Sequence, residues 1–362
     1  MSNVTLHDIA RRAGVSVASV SLALRGRGRV SGEKAKAIKE IACELGYRPN
    51  PLLAALASKR FSTAKDLQGT PIALFEFPAL AQVSRRKPGY YRASIMEEAR
   101  RLGYAPTLYE LSDATPVGPL YRQLYARATQ GVVITGEMDM ASFGREFDWG
   151  QFSVVQCAIY RNDHPFHTLR SNIFQSIKHA FMEVRARSYD RIGFALGRHA
   201  VVLEDDETRL GAAWALQEMY LPRRQRIPPY MGDFNDRPAF LAWFQMHRPD
   251  AVIAFSLDQY WALRESGIRM PEDIGFALLH QAEKAPDVSG LTQNMDAIGR
   301  QAILLLDQLI RHHEKGPTAM PMHLLVPSTW NEGKTLKAAG PVTPARRRGS
   351  NTSARKPDAK GR

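Results

Sequence analysis

The sequence predicts a chain in two parts, an all-α helix-turn-helix headpiece followed by an α/β body built on parallel sheets. Residues 4–60 carry three helical patterns separated by turn signals. From about 71 to 338, short apolar runs alternate with amphipathic segments, the signature of a parallel-sheet protein. The formal charge of +13 over 362 residues is also unevenly placed. Residues 1–60 hold 11 Lys and Arg against 4 Asp and Glu, the last 22 hold 7 against 1, and the stretch between is neutral. A basic excess gathered on one small amino-terminal module is an electrostatic footprint for nucleic acid.

In the headpiece, Thr5 opens a first helix, with Asp8 three residues on for a capping-box-like closure. Leu6, Ile9, Ala10 and Ala13 make its apolar stripe. Gly14 permits the tight turn, and Ser16 is a good N-cap for a second helix, with Val15 and Val20 inward. Val17, Ala18, Ser21, Leu22 and Arg25 are left near the exposed face, the face that a helix-turn-helix lays in the major groove. A third helix starts at Ser31 and runs through Leu45, with Gly46 as its C′ residue. Then Pro51, suited to a first helical turn, leads a leucine-rich segment holding Leu53 and Leu56. That segment spans about two turns, too short to be a stable helix alone in water. It makes sense if it folds against its dimer mate in the minor groove, where a leucine can wedge between base steps.

In the body, strand-like runs fall at Ile72–Phe77, Gly131–Thr135, Ser153–Cys157, Arg191–Leu196, Ala251–Phe255 and Ile274–Leu279. Helical patterns fall at Tyr90–Leu102, Phe174–Arg187, Thr208–Met219, Ala239–His247 and Ala297–His312. Glu204-Asp205-Asp206-Glu207 reads as a charged lead-in to the helix at Thr208, favoured by the helix dipole. The length suits a small head, a linker at 61–70 and a two-lobed body at 71–338. The Pro-, Ser- and Arg-rich tail at 339–362 has no apolar face and is expected to be disordered. It has no leucine heptads for a tetramer-forming coiled coil.

Residues 4–60 resemble the headpiece and hinge helix of the lactose-repressor (LacI/GalR) family of bacterial transcription regulators. The match is carried by V-T-L-H-D-I-A, A-G-V-S, V-S, R-V-S and L-G-Y-R-P-N-P, without gaps. The body resembles that family's periplasmic-binding-protein-like domain through Q-G-V-V-I-T-G, T-R-L-G-A-A-W-A-L, R-P-D-A-V-I-A and S-G-I-R-M-P-E-D-I-G. The resemblance implies two lobes joined by three crossovers, a small molecule bound between them, and double-stranded operator DNA bound by a homodimer. It makes Leu56, beside Leu53, the minor-groove lever, and Thr5, Ser16, Ser21 and Asn50 phosphate- or backbone-contacting positions. It also makes Arg209 an effector-reaching arginine.

The departures from the family pattern are informative. Leu22 stands where the family usually has arginine, and an isobutyl group cannot give bidentate guanine recognition. Arg25 stands where asparagine is common, so the half-site should differ from the usual one. Asn172 replaces a common acidic position. Leu279-His280-Gln281 replaces F-D-D, and Phe255-Ser256-Leu257-Asp258 replaces A-N-D. These changes remove carboxylates that chelate sugar hydroxyls, and leave Asn172, Arg209, Asp258 and His280 as candidate effector-binding residues. The effector expected is a sugar derivative or an anionic metabolite.

Cys43 and Cys157 are too few and too separated for a disulfide framework, and no signal segment or 18-residue apolar stretch is present. A cytoplasmic protein with reduced thiols, neither secreted nor spanning a membrane, is expected. No P-loop, G-x-S-x-G, H-E-x-x-H or Gly-rich dinucleotide turn occurs, so no catalytic residue, metal or cofactor is expected. His312-His313 are adjacent on one helix, face different directions and read as a solvated face; Tyr90 and Tyr91 read as core. The leading reading is a sequence-specific, dimeric transcription repressor modulated by a small molecule. Two others stay open: an effector-blind DNA-binding protein with a vestigial cleft, and an enzyme fused to a helix-turn-helix.

Overall fold

The structure is a computed structural model and describes residues 6–24, 32–45, 69–77, 91–112, 114–136, 143, 147–157, 165–199, 203–234, 236–280 and 285–338. The Pro-flanked leucine segment, the 61–68 part of the linker and the basic tail lie outside the described residues. Contacts divide the chain into two units, Met1–Gln68 and Gly69–Arg362.

In the first unit, α1 (Leu6–Ala13), α2 (Val17–Leu24) and α3 (Gly32–Glu44) enclose a small core of Ile9, Ala10, Val20, Ala23, Ile38 and Ala42. Gly14 has φ +66°, a left-handed conformation that favours glycine, and so lets α2 follow α1 within a few residues. Ser16 Oγ accepts the backbone N–H of Ser19 at 3.1 Å, satisfying one of the orphan donors at the start of α2.

The second unit holds two sheets. β1 (Thr70–Glu76), β2 (Tyr104–Glu110), β3 (Gly131–Thr135), β4 (Ser153–Cys157), β5 (His167–Ser171) and β10 (His323–Val326) form a parallel sheet in the order β10-β5-β4-β3-β1-β2. β6 (Ile192–Ala195), β7 (Ala251–Ala254), β8 (Gly275–Leu278), β9 (Gly290–Thr292) and β11 (Thr329–Asn331) form the other, in the order β11-β9-β8-β7-β6. In that sheet only β11 runs antiparallel. Alternation splits each strand's side chains between two cores. Val133 faces one side of the first sheet and Val132 and Ile134 the other; Ile253 and Val252 divide the second in the same way.

Helices cover both faces. α4 (Arg92–Arg101), α5 (Val117–Ala126) and α10 (Met295–His312) belong to the first sheet, and α6 (Ile173–Ala186), α7 (Glu204–Tyr220), α8 (Arg237–His247) and α9 (Leu257–Glu265) to the second. α7 begins a full turn before the start expected at Thr208. The acidic run forms its first turn, and the Asp206 side chain accepts the backbone N–H of Leu203 at 2.9 Å. Tyr91 is buried in the first-lobe core, and His312 and His313 are exposed.

The chain passes between the lobes three times, after β5, after β9 and after β10. The three linkers are tied to one another. Asn172 N–H donates to Val326 O at 2.9 Å, Asn294 Nδ2 donates to Pro327 O at 2.8 Å, and the Ser176 and Ser328 hydroxyls are 2.8 Å apart. Because β5, β9 and β10 all enter a linker at their carboxyl ends, the parallel strands of both sheets direct their carboxyl ends toward the same cleft. Among the described residues, no helix is long and apolar enough to cross a membrane.

Candidate functional site

In the headpiece, Ser16 is the cap of α2 and Val17 is half-buried against the small core rather than lying on an open face. An eight-residue helix reading VASVSLAL has too many apolar positions to present only one side inward. Ala18, Ser21 and Leu22 lie within α2, with side chains outside what is described. Thr5, Arg25, Asn50, Leu53 and Leu56 lie outside the described residues altogether.

In the body, ligands of open α/β sheets sit beyond the carboxyl ends of the strands. In the second lobe those ends lead into His199 after β6, Phe255 after β7 and His280 after β8. Their rings form one cluster with Phe234. Phe255 lies 4.3 Å from His280 and 5.1 Å from Phe234, centroid to centroid, both tilted by 33°, and His199 meets Phe234 edge-on at 5.1 Å. Gly197 makes room for this cluster. Its φ is +59°, and a Cβ there would fall 2.3 Å from the Phe234 ring.

Beneath the rings is a buried ion pair on the first turns of α7. Asp206 and Arg209 are both almost wholly buried, and the Arg209 Nη2 donates to Asp206 Oδ1. The guanidinium lies over Phe255, 4.0 Å from the ring centroid. Asp206 also accepts from His199 Nδ1 at 2.9 Å, from His199 N–H at 3.4 Å and from Leu203 N–H. Burial pushes this carboxyl up, yet the His199 and Leu203 hydrogen bonds and the Arg209 charge hold it below its ordinary range. Arg209 therefore joins the cluster, as the resemblance implied, but with one face on Phe255 and its charge matched by Asp206.

His280 is likewise in the cluster. Asn172 is on a linker, where its Oδ1 caps α6 by accepting Gln175 N–H at 3.1 Å. The Asp258 carboxylate, one residue into α9, lies 3.8 Å from Arg237 and 3.3 Å from Ser256 Oγ. His199, Asp206 and Phe234 were not among the expected site residues. Their positions are set by loops and a helix start that carry no periodic pattern, so only the four-residue acidic run pointed near them.

The first lobe ends its strands with ionic groups. Glu76 on β1 and Glu110 on β2 are register partners, and Arg92 at the start of α4 donates to both, at 2.8 Å for Glu110. The hydrogen bond it donates to Glu76 raises the arginine further above its ordinary range. One ion pair links the lobes among the described residues: Arg170 on β5 lies 3.6 Å from Glu204 at the start of α7. Cys157, at the end of β4, is fully buried with its thiol pushed up to about 12, which makes it inert. No described group of three or more His, Cys, Asp or Glu could hold a metal ion.

Comparison with known proteins covers head and body. The family of bacterial regulatory proteins, lacI family, matches residues 5–50, and the periplasmic binding protein-like domain matches residues 181–336. Catabolite control protein A of Staphylococcus epidermidis is 22% identical over 332 residues, covering 86% of this chain and 94% of that protein. Among solved structures, the lac repressor dimer bound to operator and the anti-inducer ONPF aligns at TM-score 0.54 and 21% identity, covering 93% of this chain and 100% of that one. The transcriptional regulator CelR in complex with cellobiose aligns at TM-score 0.53 and 19% identity, covering 92% and 100%.

Proposed function

The chain belongs to the LacI/GalR family of bacterial transcription regulators, and from that premise we propose that it is a homodimeric, operator-specific repressor whose DNA affinity is set by a small molecule bound between its lobes. The observation that carries this reading is the pairing of two modules on one chain. A helix-turn-helix headpiece with a capped α2 precedes a body whose two sheets direct their strand ends to a cleft spanned by three linkers. The similar proteins include catabolite control protein A, the lac repressor bound to operator and ONPF, and the transcriptional regulator CelR bound to cellobiose.

Each headpiece of the dimer reads one half-site. Leu22, Ala18 and Arg25 face the bases, Thr5, Ser16, Ser21 and Asn50 hold the backbone, and Leu53 and Leu56 enter the minor groove. The effector acts only by binding one lobe arrangement more tightly than the other. Selection of binding sites from random DNA by the full chain tests the reading directly. A two-fold symmetric site is expected, lost when residues 1–68 are removed. Leu22→Arg should move preference toward guanine at one position in each half-site, by about 1–3 kcal/mol of discrimination. A truncated body that still selects a sequence, or a Leu22→Arg chain that enriches the same sites as wild type, would contradict the assignment.

A further inference from the structure

The second-lobe wall of the cleft differs from what a polyhydroxylated ligand requires. A sugar ring must place each hydroxyl against acceptors and donors, and an ionised carboxylate is the side-chain acceptor with the largest capacity. The one buried carboxylate in this cluster, Asp206, already accepts four hydrogen bonds: from His199 Nδ1, the His199 and Leu203 N–H groups and Arg209. An ionised carboxylate has about four lone-pair sites, so none is left for a ligand hydroxyl. The Asp258 carboxylate faces Arg237 and Ser256.

What the wall offers instead is ring surface. Phe234, Phe255 and His280 are each half-buried and follow one another at 5.1 and 4.3 Å across the ends of β6, β7 and β8. The run is held in place from below by the Arg209 guanidinium against Phe255, and at its β6 end by Gly197, which leaves space for Phe234. Aromatic rings set at such spacings favour a further ring stacked or edge-on against them.

We infer that the effector of this protein is a flat aromatic or heteroaromatic ring compound, held against Phe234 and His280, rather than a sugar. The inference rests on the reading of the cleft as an effector site. Ligand charge is not part of it, because exposed Arg198 has Asp233 beside it across an isolated bridge.

Calorimetric titration of the full chain with matched probes tests it. Benzamide and cyclohexanecarboxamide have the same polar group and similar size, but only the first has a π face; benzoate and cyclohexanecarboxylate repeat the comparison with a charge, and glucose represents the sugars. The aromatic member of each pair should bind about fivefold more tightly than the saturated one, the range that ring–ring contacts supply. Phe234→Leu and His280→Leu keep apolar bulk but remove a ring, and each should shrink that preference to near unity. Both positions are half-buried, and the probe pairs compared on wild type need no variant to fold. Equal affinity within the pairs, tighter binding of glucose, no binding of either aromatic probe at millimolar concentration, or a preference unchanged in both variants overturns the inference. Site selection from random DNA by the same preparation separates the two levels. A chain that selects a symmetric site yet ignores every ring keeps its regulator reading and loses this one. A chain that selects no DNA sequence loses the reading on which the inference rests.

Discussion

The two lobes share a parallel-strand plan and a common cleft, yet they end their strands with different chemistry. In the first, Glu76 and Glu110 are bridged by Arg92, whose side chain is 36% exposed; in the second, rings cover an Asp206–Arg209 pair that is 2–3% exposed. Strand interiors have no such latitude, since alternating apolar residues must fill a core on each face. The strand ends are less bound by that duty: Glu76 and Glu110 close β1 and β2 with charge, and Phe255 and His280, past β7 and β8, are only half-buried, so chemistry diverges there. The same contrast predicts how much each cluster contributes to stability, because an ion pair out of water cannot be re-solvated when one partner is lost.

The largest effect should therefore come from Asp206→Ala, which strands a buried guanidinium. About 3–5 kcal/mol of stability should be lost in denaturant unfolding of the full chain, against less than about 1 kcal/mol for Glu110→Ala, an exposed partner in the other lobe. Acid should act through the same carboxylate. Its folded form stays ionised to lower pH than its unfolded form, so its stabilisation is complete at neutral pH and is lost as pH falls below about 4. Equal losses from the two substitutions would show that burial does not distinguish the clusters.

Next in size is Gly197→Ala. The left-handed backbone costs a non-glycine residue about 1–3 kcal/mol, and the new methyl would collide with Phe234. The loss should appear in unfolding and also in altered fluorescence or ring-proton shifts from the cluster. A fully stable variant with an unmoved Phe234 ring would mean the turn has another conformation. Glu76→Ala should cost less, about 1 kcal/mol, because Arg92 keeps Glu110 and reaches solvent. A loss as large as that for Asp206→Ala would place the first-lobe pair in an equally dry setting.

These sites also mark where sequence reading stops. Gly131–Thr135 and Ser153–Cys157 were legible to the residue, since β3 and β4 lie inside the first sheet, are buried on both faces and carry a Val-rich run. β2 and β10 were not, because they are the edge strands and their half-exposed patterns give no continuous apolar run. β5 reads HTLRS, which is polar in four of its five residues although it is mostly buried. At the site, Arg209 and His280 could be found because a family motif flags their positions. The partnership of Asp206 with His199 could not, since it depends on where α7 starts, and a charged first turn looks the same whether solvated or folded over a neighbouring loop.

The smallest effect should come from the one described ion pair that joins the lobes. Arg170 and Glu204 are 3.6 Å apart and both partly exposed, so a double-mutant cycle of Arg170→Ala and Glu204→Ala should give a coupling of no more than about 0.5 kcal/mol. It should fade in about 1 M salt, where screening acts over only about 3 Å. Its dependence on ligand is more telling than its size. Arg170 stands two residues before Asn172, on a linker, and a rotation about the linkers displaces nearby atoms little. The ring cluster, by contrast, is where the proposed ligand is held. The coupling should therefore be the same whether or not a cleft ligand is present, while probes on Phe234 or His280 respond. A coupling that appears or vanishes on ligand addition would show that the lobes turn about an axis away from the three linkers, and the pair would then serve as a latch between arrangements.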